Sequence, residues 1–150
     1  YVQHIVKKAS QSIGAVSKPN IHYPVSGFRP SWGLAYLEPD IIVQKGDALF
    51  TIDAKYKNHM VVRRNADNEI LKVEFRKDFH QILAYSSFSA LPNKTSALIY
   101  PDKDFNIRSI QVYSNISGVS NTISLVGMPF DSLTVRECVD KLSKYLKEIL

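Results

Sequence analysis

The chain has 150 residues, a formal net charge of +5, 45% hydrophobic and 22% charged residues. These are the proportions of one soluble globular domain with an ordinary core. The single cysteine, Cys138, excludes an intramolecular disulfide and a cysteine-rich zinc site, and no apolar run approaches the ~20 residues of a membrane span.

The spacing of Val2, Ile5, Val6 and Ala9 predicts a helix over Tyr1 to Ile13. "SKPNIHYPVSGFRPSWG" carries three prolines and two glycines and reads as a loop. "LAYLEPDIIV" and "ALFTIDAKYK" read as the strands of a hairpin about Gln44-Lys45-Gly46-Asp47. "NHMVVRRNADNE" is a polar excursion. A helix is predicted over Lys77 to Phe88, with Phe79, Ile82 and Leu83 inward. "TSALIY" is a short strand apolar enough to be buried on both faces. "FNIRSIQVYS" and "NTISLVGMPF" are further strands joined by a Ser/Gly/Asn turn. Thr134-Val135-Arg136-Glu137 fits a capping box, opening a last helix with an apolar stripe of Val135, Val139, Leu142, Leu146 and Ile149. Cys138 is expected to be buried on that helix, and Trp32 to pack in the core. The order of elements indicates an α/β domain around a mixed β-sheet flanked by helices.

Charge is unevenly placed. No Asp or Glu precedes Glu38, whereas Lys7, Lys8, Lys18 and Arg29 do, and a second basic group runs through Lys55, Lys57, Arg63, Arg64, Lys72, Arg76 and Lys77. A polyanionic partner suits this distribution. His4, His22, His59 and His80 are scattered and read as surface or structural residues.

The hairpin carries the chemistry. Asp53, Lys55 and Lys57 alternate along the second strand and so share a face, with Ile52, Ala54 and Tyr56 on the other. An antiparallel pairing puts Asp40 across from Asp53 at the end far from the turn, where side chains come within about 5 Å. Two carboxylates that close repel unless a cation lies between them. Mg²⁺ accepts such oxygen ligands, with the backbone carbonyl of Ala54 as a further donor and Mn²⁺ able to substitute. Lys55 projects toward the same place, where an ammonium can hold a phosphate oxygen or stabilise developing charge. Glu38 would share the face of Asp40 on an ideal strand and stands as an auxiliary residue, and Lys57 as a phosphate contact. On the following helix Asp78, Gln81 and Tyr85 form an i, i+3, i+7 row distinct from the apolar face.

Pro39-Asp40, a gap of 12 residues and Asp53-Ala54-Lys55 resemble the PD-(D/E)xK nuclease motif. "PDIIV" with "DAKYK", Gln81-x-x-x-Tyr85 and the strand "ALIYP" are similar to the McrC-like nuclease subunit of McrBC-type restriction systems, over Leu37 to Pro101. The resemblance implies a restriction-endonuclease-like core spanning residues 1–150, and Mg²⁺-dependent hydrolysis of phosphodiester bonds in DNA. Asp40 and Asp53 would hold the metal, Lys55 would act on water and phosphate, and Gln81 and Tyr85 would support the site or contact the strand. It also implies an McrB-like AAA+ GTPase motor as partner, a second nuclease subunit for double-strand cleavage, and a cytoplasmic setting. The start on "YVQHIVKKASQSI" suggests the C-terminal fragment of a longer subunit. Many such nucleases carry an acidic residue on the helix before the first motif strand; residues 1–37 hold none. Two other readings stand beside this one: an inactive adaptor that only stimulates the motor's GTPase, and a DNA repair nuclease of the RecB kind.

Overall fold

The computed structural model describes residues 1–28, 30–31, 33, 35–56, 69–91 and 93–150, with nothing said of the Ile70 side chain. Arg29, Trp32, Lys57, His59, Arg63, Arg64 and the rest of the polar excursion before Glu69 lie outside the described residues.

Among the described residues, three helices and eight strands follow in the order α1 (Val2–Ser12), β1 (Val16–Pro19), β2 (Tyr23–Pro24), β3 (Tyr36–Leu37), β4 (Ile41–Lys45), β5 (Ala48–Ala54), α2 (Glu69–Ser86), β6 (Asn93–Pro101), β7 (Asn106–Tyr113), β8 (Ser120–Met128) and α3 (Val135–Ile149). Six strands form one mixed sheet in the order β1-β4-β5-β6-β8-β7, and β2 and β3 pair separately. β5, β6 and β8 run parallel, while β1–β4, β4–β5 and β7–β8 are antiparallel. The β4–β5 hairpin turns through Gly46 and Asp47, with Lys45 opposite Ala48. Gly46 takes φ of 58°, a conformation glycine adopts without a Cβ penalty.

Period-2 alternation sorts the two faces. Ile41, Val43, Phe50, Ile52, Ala97, Ile99, Val126 and Met128 pack with α1 and with Cys138, Leu142 and Leu146 of α3. Leu98, Tyr100, Ile123 and Leu125 pack with Ile82 and Tyr85 of α2, supported by Phe75, Phe79 and Leu83. β6 is therefore buried on both faces, as its composition predicts.

Three sequence expectations are corrected. β1 overlaps the start of the segment read as a loop, and β2 lies inside that segment. β1 is the strand that joins the main sheet. It is an edge strand ending in Pro19, where a missing N–H leaves no ladder partner wanting. α2 begins at Glu69 rather than Lys77; good helix formers extend it, and Glu69 and Lys72 pair across its first turn at 2.8 Å. The capping box at Thr134 does not form, since Thr134 makes no side-chain cap bond. Asp131 takes over: its Oδ1 accepts the Leu133 and Thr134 amides at 2.6 and 3.2 Å.

The end of β8 meets the loop after β6. A Cβ on Gly127 would stand 2.5 Å from the Asn106 side-chain amide and 2.9 Å from Cβ of Asp102. Asn106 Nδ2 donates to Asp102 Oδ2 at 2.9 Å, so neither neighbour yields freely. Gly127→Ala is expected to destabilise the fold by about 1–3 kcal/mol, the usual cost of overpacking, measured by urea unfolding. Unchanged stability would show that the 102–106 loop gives way.

Candidate active site

The β4–β5 register carries Ile41 opposite Ile52, so one step further Asp40 faces Asp53. The two carboxylates sit at the carboxyl ends of β5 and β6, where open α/β sheets place their ligands. Asp40 Oδ2 accepts the Ala54 amide at 2.7 Å, which pins Asp40 across the hairpin's open end. The Lys55 amide donates to the Ile99 carbonyl at 2.7 Å. Along a strand successive residues bond to alternate edges, so the Ala54 carbonyl faces the Asp40 edge.

Asp53 is 3% exposed, and its neighbour across the sheet face is Lys55. Nζ of Lys55 stands 2.5 Å from Asp53 Oδ2 and 3.5 Å from Asp78 Oδ1. It donates to Gln81 Oε1 at 2.7 Å, and Gln81 Nε2 donates to the Tyr85 hydroxyl at 2.8 Å. The Tyr100 hydroxyl donates to Asp78 Oδ2 at 3.1 Å. One chain of polar contacts thus links β5, α2 and β6.

Burial pushes the Asp53 carboxyl up to about 6; the Asp40 charge adds to the rise, and Lys55 offsets part of it. Burial also works against the Lys55 ammonium, but Asp53 and then Asp78 leave its pKa above the ordinary lysine value.

The residues fit a hard divalent cation. Asp53 Oδ2 is buried and receives no hydrogen bond, its contact with Lys55 being an ion pair without hydrogen-bond alignment. Asp40, Asp53 and Asp78 against Lys55 leave a formal charge of −2 when all are ionised. Among the described residues no three His, Cys, Asp or Glu side chains gather as a ligand set. A metal would draw on Asp40, Asp53, the Ala54 carbonyl and water, an oxygen set suited to Mg²⁺.

The structure brings together Asp40, Asp53, Lys55, Gln81 and Tyr85. Tyr85 is buried, only its hydroxyl reaching the polar row. Glu38 goes elsewhere: its carboxylate lies 3.3 Å from His22 Nε2, and His22 stacks on Tyr36. Lys57 lies outside the described residues. Sequence reading missed Tyr100, whose hydroxyl closes an otherwise apolar run; that polar atom was the available signal. Cys138 is buried, as expected.

The raised Asp53 pKa has a consequence for stability. The folded state binds a proton more tightly than the unfolded chain between about pH 4 and 6. The contribution of Asp53 to the stability of the metal-free protein should therefore fall as pH rises through that window. Asp53→Asn should remove this slope, so its stability relative to wild type should climb from about pH 4 and level off above 6. Urea unfolding in chelator across pH measures the difference; a flat difference would refute the buried carboxyl.

Comparison with known proteins bears on the family and the fold. The model of the family described as "McrBC 5-methylcytosine restriction system component" matches residues 1–101. No curated protein matches the chain. Among solved structures, a chain of the half-complex from the tetradecameric assembly of Thermococcus gammatolerans McrB AAA+ hexamers with bound McrC is similar, with TM-score 0.52 and 12% identity. The match covers 99% of this chain and 31% of that one, so this chain spans about a third of its structural neighbour and shares its fold over that part. The chain belongs to the McrBC 5-methylcytosine restriction system component family.

Proposed function

We infer that the chain is the nuclease domain of an McrC-like subunit with a PD-(D/E)xK core, hydrolysing phosphodiester bonds in DNA with Mg²⁺. The observation that carries the reading is the pair Asp40 and Asp53 at the open end of the hairpin, with the Lys55 ammonium 2.5 Å from Asp53. Two carboxylates, a divalent-sized charge deficit and one fixed cation are the parts a phosphoryl site needs.

Asp40, Asp53 and the Ala54 carbonyl would hold the ion. When bound, it supplies positive charge that polarises a phosphoryl oxygen and favours ionisation of water. Lys55 contributes a second cation, stabilising negative charge as it develops on the phosphate. Gln81 fixes the ammonium through Oε1, and Tyr85 orients Gln81. Arg76 and Lys77 are exposed on α2, the helix that flanks the site, and can meet the DNA backbone. Such contacts hold phosphate without reading sequence. By likeness to the Thermococcus assembly, a McrB-type AAA+ motor is the proposed partner, supplying target choice. A second copy of the nuclease subunit would supply the cut on the other strand.

The test is made on the full-length subunit assembled with its AAA+ partner. Asp53→Ala is expected to abolish Mn²⁺ binding at this site, measured by calorimetry, together with cleavage of duplex DNA. Lys55→Ala should still bind the ion but cleave about 10²–10³ times more slowly, the usual cost of one well-placed electrostatic group. Cleavage at the wild-type rate by either variant would overturn the assignment. Duplex binding by the nuclease domain should also weaken steeply with salt, as counterion release requires; a flat salt series in fluorescence anisotropy would exclude backbone-driven binding.

A further inference from the structure

Asp78 is 5% exposed, on α2, with no place among the metal ligands. A buried carboxylate is costly unless paired, so its surroundings indicate what it does. One oxygen accepts the Tyr100 hydroxyl at 3.1 Å. Tyr100 is itself fully buried on β6, so it fixes the carboxylate from the sheet side. The other oxygen faces Lys55 Nζ at 3.5 Å, longer than a charge-assisted hydrogen bond of about 2.8 Å. The same ammonium touches Asp53 Oδ2 at 2.5 Å and Gln81 Oε1 at 2.7 Å. It therefore stands between two buried carboxylates on two different elements, against one and short of the other.

This arrangement conflicts with loading a cation. The Asp53 oxygen that receives no hydrogen bond is the one the ammonium covers. A divalent ion approaching Asp53 meets a positive charge already in contact with its ligand. For a cation that takes this oxygen, Lys55 gives ground, and its remaining polar neighbours are Gln81 and Asp78 on α2. Less than about 1 Å of movement toward α2 would bring it to normal contact with Asp78, and Gln81 already holds it on that side. Resting on the reading of Asp40 and Asp53 as cation ligands, we propose that Asp78, fixed by Tyr100, is a positioning residue that receives the Lys55 ammonium when Asp53 takes up a divalent ion. The lysine is then neither lost to solvent nor left competing for the metal, and it stays beside the place where phosphate charge develops.

A purely structural Asp78, tying α2 to the sheet, makes a different prediction from a receiving one. A distant negative charge would favour a cation whether or not Lys55 is present. A receiving charge matters only while there is an ammonium to receive. Mn²⁺ alone is titrated by calorimetry into the full-length subunit as wild type, Asp78→Asn, Tyr100→Phe, Lys55→Met and the double variant Asp78→Asn/Lys55→Met, each first checked for cooperative unfolding by circular dichroism. Asp78→Asn is expected to weaken Mn²⁺ binding by about tenfold, within the range of coupling between members of one ion-pair network. Tyr100→Phe should weaken it in the same direction by less. Lys55→Met should tighten it, and in that background Asp78→Asn should change affinity far less.

An equal loss in both backgrounds, or no loss in either, would overturn the proposal while leaving the metal reading intact. Wild-type protein that binds no Mn²⁺ in an Asp53-dependent way would remove the metal reading and this inference with it. Should Asp78→Asn fail to fold, Tyr100→Phe compared with and without Lys55→Met decides the question in the same way.

Discussion

One half-buried ammonium organises the charged side of this domain. Lys55 leaves the end of β5 and meets Asp53 of its own strand, with Asp78 and Gln81 of α2 on its other side. Removing one member of a buried charge group leaves the others uncompensated, at a cost of about 3–5 kcal/mol in comparable cases. The packing of α2 against the sheet is thus tied to the same atoms that form the candidate site. Apolar contacts from Ile82, Phe79 and Leu83 press the helix down; the Lys55 contacts fix where along the strands it rests.

Strand alternation makes that arrangement possible and protects it. On β5, Phe50, Ile52 and Ala54 face α1 and α3, while Asp53 and Lys55 face α2. On β6, Ala97 and Ile99 take the first side, Leu98 and Tyr100 the second. A slip of one residue would drive Asp53 into the apolar core beneath α1 and α3. Apolar packing on one face therefore enforces the polar geometry of the other, and the Asp40 to Ala54 bond closes the hairpin at the end where pairing stops.

The hairpin, both layers and most of the site were legible because their signals are local and periodic. Asp53 and Lys55 two apart, a glycine turn, and Asp40 equidistant from that turn suffice to place three side chains. Asp78, Gln81 and Tyr85 were legible as a helical row for the same reason. What was not legible depends on long-range pairing. Nothing in Val16–Pro19 announces a strand; β4 makes it one by offering an unpaired edge. Thr134 and Glu137 have the letters of a capping box, but Asp131, three residues before Thr134, takes the Thr134 amide that Glu137 would otherwise reach. Glu38 has the right parity for the site, yet the chain leaves strand geometry before Ile41 and His22 captures it. Tyr100 reads as core because its ring is core; only the fold reveals that its hydroxyl ends on Asp78.

The energetics of the site without a bound ion follow from these placements. Asp53 is buried, its pKa rises to about 6, and one oxygen lacks a hydrogen bond. A side chain selected for stability alone would be replaced by a well-packed apolar residue, since buried ion pairs of this kind seldom improve on one. The cost is local. The opposite face of the sheet is continuous core from Ile5 to Leu146, and it can carry a buried polar cluster without loss of the fold. The cost of the cluster thus falls on the α2 side, beside the apolar core that holds this helix to the sheet. A cation that binds the folded state through Asp40 and Asp53 and not the unfolded chain would return part of that cost by mass action. On the proposed reading, the cluster's stabilising partner would come from solution, and the fold supplies the frame that holds Asp40 and Asp53 at the hairpin's open end.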